Sequence, residues 1–256
     1  MDQAAVDAHA HCGVQDRSVP QSFEDYYQLA RETPITEVVM FPPVYEIYDR
    51  FDPSFQDTPG WKARRRAAND YVLSLSRAAA LTVHPYFFIW NDFEVENLDP
   101  GFKGIKWHRH ASEPEYNYQD PACRKALQLI RQRNLPVVLE EEFENTVRFI
   151  EELAPEVRVV IPHLGGLNGG YARLAERGLF ARETVYTDTS LAGRGEIVDY
   201  LERFGSQRIM FGSDFPFGHP GHELSKVRSL PVEQTVQTAL TGGNLQRLLA
   251  DVCLEP

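Results

Sequence analysis

The stretch Val6-Asp7-Ala8-His9-Ala10-His11 decides how the chain is read. Its small and apolar residues suit a strand, and side chains on a strand alternate between two faces. His9 and His11 then share a face with Asp7, while Ala8 and Ala10 leave the other face small. Two imidazoles on one face can bind one metal ion. A single histidine beside an apolar strand is more often a hydrogen-bonded core residue.

Outward from this stretch, short apolar or β-branched runs recur with helical segments between them. The runs are Ala5–His9, Glu37–Phe41, Leu81–Phe88, Phe102–Trp107, Pro136–Glu140, Val157–Pro162, Thr184–Thr187 and Arg208–Phe211. Ser22 with Asp25 three residues on has the form of a capping box before Tyr26–Ala30. Asp120-Pro121 supplies an N-cap and a first helical residue for Ala122–Arg133. Trp61–Ala80, Phe143–Leu153, Gly170–Arg177 and Glu196–Phe204 continue the alternation, which reads as βα units feeding a parallel sheet. Eight units at about 32 residues each match a minimal (β/α)8 TIM barrel. A doubly wound open sheet would place a glycine-rich phosphate turn after the first strand, and here that strand ends in histidines. With no linker, repeat or low-complexity tract, residues 1–256 are expected to form one α/β domain.

Composition narrows the function classes. The 256 residues include 26 Lys and Arg against 37 Asp and Glu, a net charge of −11, which disfavours a nucleic-acid partner because phosphate binding needs basic residues. The longest apolar run, Val83 to Trp90, is well short of the roughly 18 residues a membrane span requires. Three widely spaced cysteines, Cys12, Cys123 and Cys253, do not form a disulfide framework, and Met1–Gly13 lacks the basic start of a secretory signal. A cytoplasmic protein acting on a small-molecule substrate is expected, and a homo-oligomer is compatible with the sequence.

Two later strands also end in polar groups. Val159-Val160-Ile161-Pro162 runs into His163-Leu164-Gly165-Gly166, whose glycines would let backbone approach a ligand, and Ile209-Met210-Phe211-Gly212-Ser213 ends at Asp214. An aspartate closing a buried apolar run is costly unless it is paired or bound to a cation, although Ser-Asp before proline is also turn chemistry. Of the eight histidines, His9, His11, His108, His110, His163, His219 and His222 fall at or just after predicted strand ends. In a barrel those ends form one rim, where active sites sit.

Asp7-x-His9-x-His11, His163-x-Gly165-Gly166, Gly212-Ser213-Asp214-x-Pro216 and Gly243-Asn244-x-x-Arg247-Leu248-Leu249 together resemble the amidohydrolase-related family, TIM-barrel metal-dependent hydrolases of the amidohydrolase superfamily. The likeness spans nearly the whole chain. Gly104-Ile105-Lys106-Trp107-His108 is similar to the family's strand four, and Tyr186–Ser190 to its strand seven. The additional β-sandwich of many superfamily members is not expected within these 256 residues. The resemblance implies one divalent metal ion, usually zinc, held by His9, His11 and Asp214, with His163 a further ligand or an acid/base group; a second ion is less favoured. The family often has a histidine after strand five, where this chain has Glu140. Glutamate can ligate zinc through oxygen, so Glu140 is expected to take that position, in preference to Glu141. The opposing reading makes Glu140, Glu141 and Glu142 a solvated helix start. Asp7, Glu140 and Asp214 are thus all expected to face a cation.

Lys106 and His108 are expected to meet an anionic substrate group. A carboxylated Lys106 bridging two ions, or a plain buried ion pair, are the alternatives. Arg109 and His110 are assigned to the following loop, Cys12 to packing and Asn244 to an N-cap. The irregular Pro42–Pro59 segment, with Tyr45, Tyr48, Phe51 and Phe55, is expected to form a lid, and Phe217–Ser229 with His219 and His222 to line the mouth.

The chemistry implied is hydrolysis of an ester, lactone or amide. A zinc ion held by imidazoles and carboxylate supplies water acidified to a pKa of about 7. Asp214 would orient or deprotonate the water and pass the proton to the leaving group, while His163 stabilises the oxyanion or a substrate carboxylate. A decarboxylase of an unsaturated or aromatic acid is the alternative on the same site. A catalytically inactive binding barrel is the third reading.

Overall fold

A computed structural model describes residues 3–13, 19–78, 80–95 and 98–253. Eight parallel strands, β1 (Ala5–His11), β2 (Ile35–Phe41), β3 (Thr82–Phe88), β4 (Gly104–His108), β5 (Val137–Glu140), β6 (Val159–Ile161), β7 (Val185–Asp188) and β8 (Ile209–Met210), pair in sequence order. The sheet closes on itself. Ala8 N donates to Phe211 O at 2.9 Å, His11 N to Phe215 O at 2.8 Å, and Asp214 N to His9 O at 2.8 Å. Every expected strand is present, and the helices lie outside, as a parallel sheet with crossover helices requires. The described chain forms a single (β/α)8 barrel. None of its helices is long and apolar enough to cross a membrane.

Local signals set the helix starts. In α1 (Phe23–Ala30) Ser22 and Asp25 form the reciprocal capping box, and in α3 (Pro121–Gln132) the Asp120 carboxylate accepts from Ala122 N with proline in the first turn. The long α2 (Pro59–Ala78) packs against β3. After β5 come α4 (Phe143–Arg148), α5 (Tyr171–Glu176) and α6 (Arg194–Phe204); then α7 (Pro220–Arg228), α8 (Gln234–Thr238) and α9 (Asn244–Ala250) complete the chain.

Val6, Ala8, Val39, Phe41, Tyr86, Val138, Val160 and Met210 fill the barrel interior, and Leu245 and Leu248 of α9 pack into the same cluster. Asn244 does not cap that helix. Gly243 stands at the cap position, and the buried Asn244 amide donates to Ser206 O and Ile209 O, both at 2.6 Å, tying α9 to β8. Tertiary acceptors here outcompete the local cap.

The first strand departs from simple alternation. Its pairing with β2 shifts between Asp7 and Ala10. Ala8 belongs to the interior cluster, whereas Ala10 and Cys12 pack with Tyr26 and Ala30 of α1 outside the sheet. The bulge therefore separates Asp7 from His9 and His11. Asp7 turns to α1, accepting from Tyr26 Oη at 2.9 Å, Ser213 N at 2.9 Å and His9 N at 3.1 Å. It does not face the expected cation site. Burial raises its pKa to about 6, against the pull of those donors. Cys12 is the expected packing thiol, its pKa pushed up to about 12 by burial.

Candidate metal centre at the carboxyl end of the barrel

His9 and His11 end β1 with their imidazoles directed at Asp214. Asp214 Oδ1 lies 3.2 Å from Nε2 of each, and Oδ2 lies 3.4 Å from His163 Nε2. His163 follows β6 directly, in a turn where His163 and Leu164 both have left-handed backbones, with φ of 53° and 50°. Asp214 has φ of 53° as well. Left-handed non-glycine residues cost free energy and cluster at functional sites. Gly165 was expected to admit a ligand, but the space its Cβ would fill is taken by Leu174 Cδ1 at 1.9 Å, and its φ is +82°. It serves packing and backbone geometry.

The donors fit a divalent ion. His9 Nε2, both ring nitrogens of His163 and Asp214 Oδ1 are buried without a hydrogen-bond partner. Buried polar atoms are seldom left unpaired, and His9 Nε2, His163 Nε2 and Asp214 Oδ1, brought together from three strand ends, share a need for a cation. His9, His11 and Asp214 have ligand atoms within 4.8 Å of one another, as do His9, Glu140 and His163. Burial opposes a charge on His9, but Asp188 and Asp214 favour one, and its pKa stands at about 9. Burial drives His11 down to about 4. Burial also opposes ionisation of Asp214, yet the surrounding imidazoles hold its carboxyl well below the ordinary range.

Asp188, at the end of β7, was given no role by the sequence. Its Oδ2 lies 2.9 Å from His9 Nδ1, while Oδ1 accepts from His163 N at 3.2 Å and Ser190 N at 3.0 Å. A carboxylate on Nδ1 directs the Nε2 lone pair of a ligating histidine toward its ion. Asp188→Asn is therefore expected to weaken divalent-ion affinity by about 10–100-fold, measured by titrating metal-free protein. Unchanged affinity would remove Asp188 from this role.

Glu140 is buried, and the solvated-helix reading fails for it and for Glu141. Its Oε2 takes Lys106 Nζ at 3.1 Å, and its Oε1 takes His108 Nε2 at 3.0 Å and His110 Nε2 at 2.6 Å. Burial opposes its charge, but these donors hold it well below the usual carboxylate range. Lys106 corrects an expectation. Its ammonium is fully buried, 4.5 Å from the centre of the Phe41 ring and bound to Glu140, and it does not line the cavity. It is the buried ion pair, not a cation presented to substrate. His108, pushed by burial to a pKa of about 4, does line the cavity.

His110 belongs to the site rather than only to a loop. Arg50 Nη2 lies 2.9 Å from its Nδ1, and since guanidinium only donates, the ring proton sits on Nε2 and points at Glu140. Arg50 in turn pairs with Glu113. Glu113 also accepts from Tyr48 Oη at 2.7 Å. These partners lie far apart in sequence, and no spacing announces them. His219 and His222 stack on each other at 4.2 Å, with the His219 ring capping α7, and neither lines the cavity.

The cavity above these groups has a volume of about 330 Å³. Pro43, Val44, Tyr45 and Arg50 form part of its wall, so the segment after β2 covers the site as expected of a lid, while Tyr48 stacks beneath on Trp90 at 3.9 Å.

A closed parallel barrel with imidazoles and a carboxylate converging at its carboxyl end is the form of TIM-barrel metal-dependent hydrolases. Residues 6–250 match the amidohydrolase family model, and the chain belongs to that family. Its barrel resembles 2,6-dihydroxybenzoate decarboxylase from Rhizobium, with a TM-score of 0.75, 13% identity and coverage of 97% and 99% of the two chains. It also resembles a protein assigned as 2-pyrone-4,6-dicarboxylic acid hydrolase from Pseudomonas putida, with a TM-score of 0.73, 19% identity and coverage of 98% and 99%. A third is dihydroxybenzoic acid decarboxylase from Polaromonas sp. JS666 with bound manganese and the inhibitor 2-nitroresorcinol, with a TM-score of 0.74, 13% identity and 97% coverage of both. At these identities the likeness concerns the fold. No curated protein sequence gave a significant match.

Proposed function

We propose that the protein is a metal-dependent hydrolase that cleaves an ester, lactone or amide bond of a small anionic substrate. The observation that carries this is the set of buried atoms without a hydrogen-bond partner, His9 Nε2, His163 Nε2 and Asp214 Oδ1, beneath an open cavity. His9, His11 and Asp214 would hold one divalent ion, with zinc the expected species in a set of imidazoles and carboxylate. His163 joins as a further ligand or as the group facing the substrate oxygen. Glu140 completes the set from β5 when one of its imidazole donors gives way. When bound, the ion supplies Lewis-acid polarisation and an acidified water.

The chain's own groups do the rest. Asp214, held ionised, accepts a proton from water in the cavity and returns it to the leaving group. His163 presents its ring to the developing oxyanion or to a substrate carboxylate. Arg50, His108 and His110 line the cavity beside Glu140 and offer polar contacts to the substrate at that side.

Decarboxylation of an unsaturated or aromatic acid is a second reading, favoured by the two dihydroxybenzoate decarboxylases that share the fold and by the apolar part of the cavity wall. One equivalent of divalent ion per chain is expected in the wild type and none after joint His9→Ala and His11→Ala substitution. With the metal-loaded protein, release of titratable acid without carbon dioxide supports hydrolysis. Carbon dioxide release transfers the assignment to the decarboxylase, and absence of bound metal in the wild type would sink both.

A further inference from the structure

Asp7 is fully buried, and the proposed chemistry does not use it. Its donors are a tyrosine hydroxyl and two backbone amides, all of them neutral. Holding a carboxylate in the interior is costly, so its oxygens must serve where an apolar side chain could not.

The two amides show where. His9 N belongs to a candidate ligand and Ser213 N to the residue before another, Asp214. Both donate to the same oxygen, Asp7 Oδ1, at 3.1 and 2.9 Å. One atom thus fixes the backbone on both sides of the seam where β1 meets the turn after β8. The seam is irregular at this point. Ala8 N donates to Phe211 O, and a regular parallel ladder would then send Ser213 N to Ala8 O, but Ser213 N goes to Asp7. The backbone bonds resume with Asp214 N to His9 O and His11 N to Phe215 O. Asp7 Oδ1 supplies the acceptor where the regular one is skipped. The next residue, Asp214, has a left-handed backbone with φ of 53°, which a non-glycine residue keeps only where its surroundings over-determine it. The bond on Ser213 N is one of those constraints. The other oxygen, Oδ2, accepts from Tyr26 Oη at 2.9 Å, and the Tyr26 ring meets Phe215 edge-on, 5.4 Å between centroids at 79°. Helix α1 therefore backs both the carboxylate and the turn.

We infer that Asp7, backed by Tyr26, is a positioning residue for the candidate metal centre. By holding His9 N and Ser213 N on one oxygen it sets the His9 imidazole against the Asp214 carboxylate, 3.2 Å between Nε2 and Oδ1. It faces away from the ion site and acts through the backbone. The role needs an oxygen acceptor at that point and not a charge, so asparagine can fill it and an apolar residue cannot. This role rests on the reading of His9 and Asp214 as ligands.

The test is titration of the metal-free full chain with cobalt(II), followed by visible absorption, which reports the geometry of the ligands around the ion. Asp7→Leu nearly matches the side chain in shape but leaves two buried amides without their acceptor, and it is expected to bind cobalt(II) about tenfold or more weakly, with an altered spectrum. Asp7→Asn is expected to restore the wild-type affinity and spectrum, because its carboxamide oxygen accepts from both amides and its NH₂ donates to Tyr26 Oη. Thermal melts confirm that each variant is folded. If Asp7→Leu does not fold, Asp7→Glu takes its place: it keeps the charge and moves the acceptor by one methylene, with the same altered spectrum expected. A folded Asp7→Leu, or Asp7→Glu in its place, with wild-type affinity and spectrum overturns the role. So does a folded Asp7→Asn that fails to restore them, since charge would then matter and acceptor position would not. A wild type that takes up no cobalt(II) defeats the metal centre and this role with it, whereas an unchanged Asp7→Leu leaves the centre standing and removes Asp7 alone.

Discussion

Asp214→Asn is expected to lower kcat/KM by about 10³-fold or more and to reduce the divalent ion retained on dialysis. Asparagine matches the carboxylate in shape and tolerates the left-handed backbone found here. The backbone bond from residue 214 N to His9 O does not depend on the side chain. What is lost is the negative charge among three imidazoles, and with it the proposed ligand that contacts all three. Turnover and metal content should fall together while the thermal melt stays close to that of the wild type. A variant that kept both would place the reaction elsewhere in the cavity.

Lys106→Met is expected to destabilise the fold by about 3–5 kcal/mol, because it leaves a buried carboxylate without its cation. Methionine nearly matches the lysine stem, so cavity formation contributes little. The measurement is the shift of the urea midpoint at constant slope. Adding Glu140→Gln should recover a large part of the loss, since the charge that needed the ammonium is then gone. A neutral single variant would show that His108 and His110 hold Glu140 unaided. The native pKa of Glu140 is depressed, so the stability it contributes is present at neutral pH, above its unfolded pKa, and is lost as pH falls through the native value.

Much of the barrel was legible because its signals are local. Short β-branched runs, the Ser22 and Asp25 box and the Asp120-Pro121 start each act within a few residues, and all stand where expected. His9, His11, His163 and Asp214 could be picked out as candidates because each lies at the end of an apolar run, a placement that would leave a polar group buried without compensation, and the fold brings them together. Asp7 was misplaced because a bulge in β1 breaks the alternation on which its assignment rested. Lys106 was misread because residue type says nothing about which neighbour receives its charge.

The order of strands and helices, and the histidines and aspartate at the strand ends, were determined by the sequence, since chain periodicity and the cost of burying polar groups act along each segment. Only the tertiary structure decided the partners. The β4–β5 register sets His108 opposite Glu140, ring closure brings Asp214 to β1, and the lid delivers Arg50 to His110. Each pairing joins segments whose proximity follows from how the sheet closes, and a buried charge takes its role from the charges packed around it.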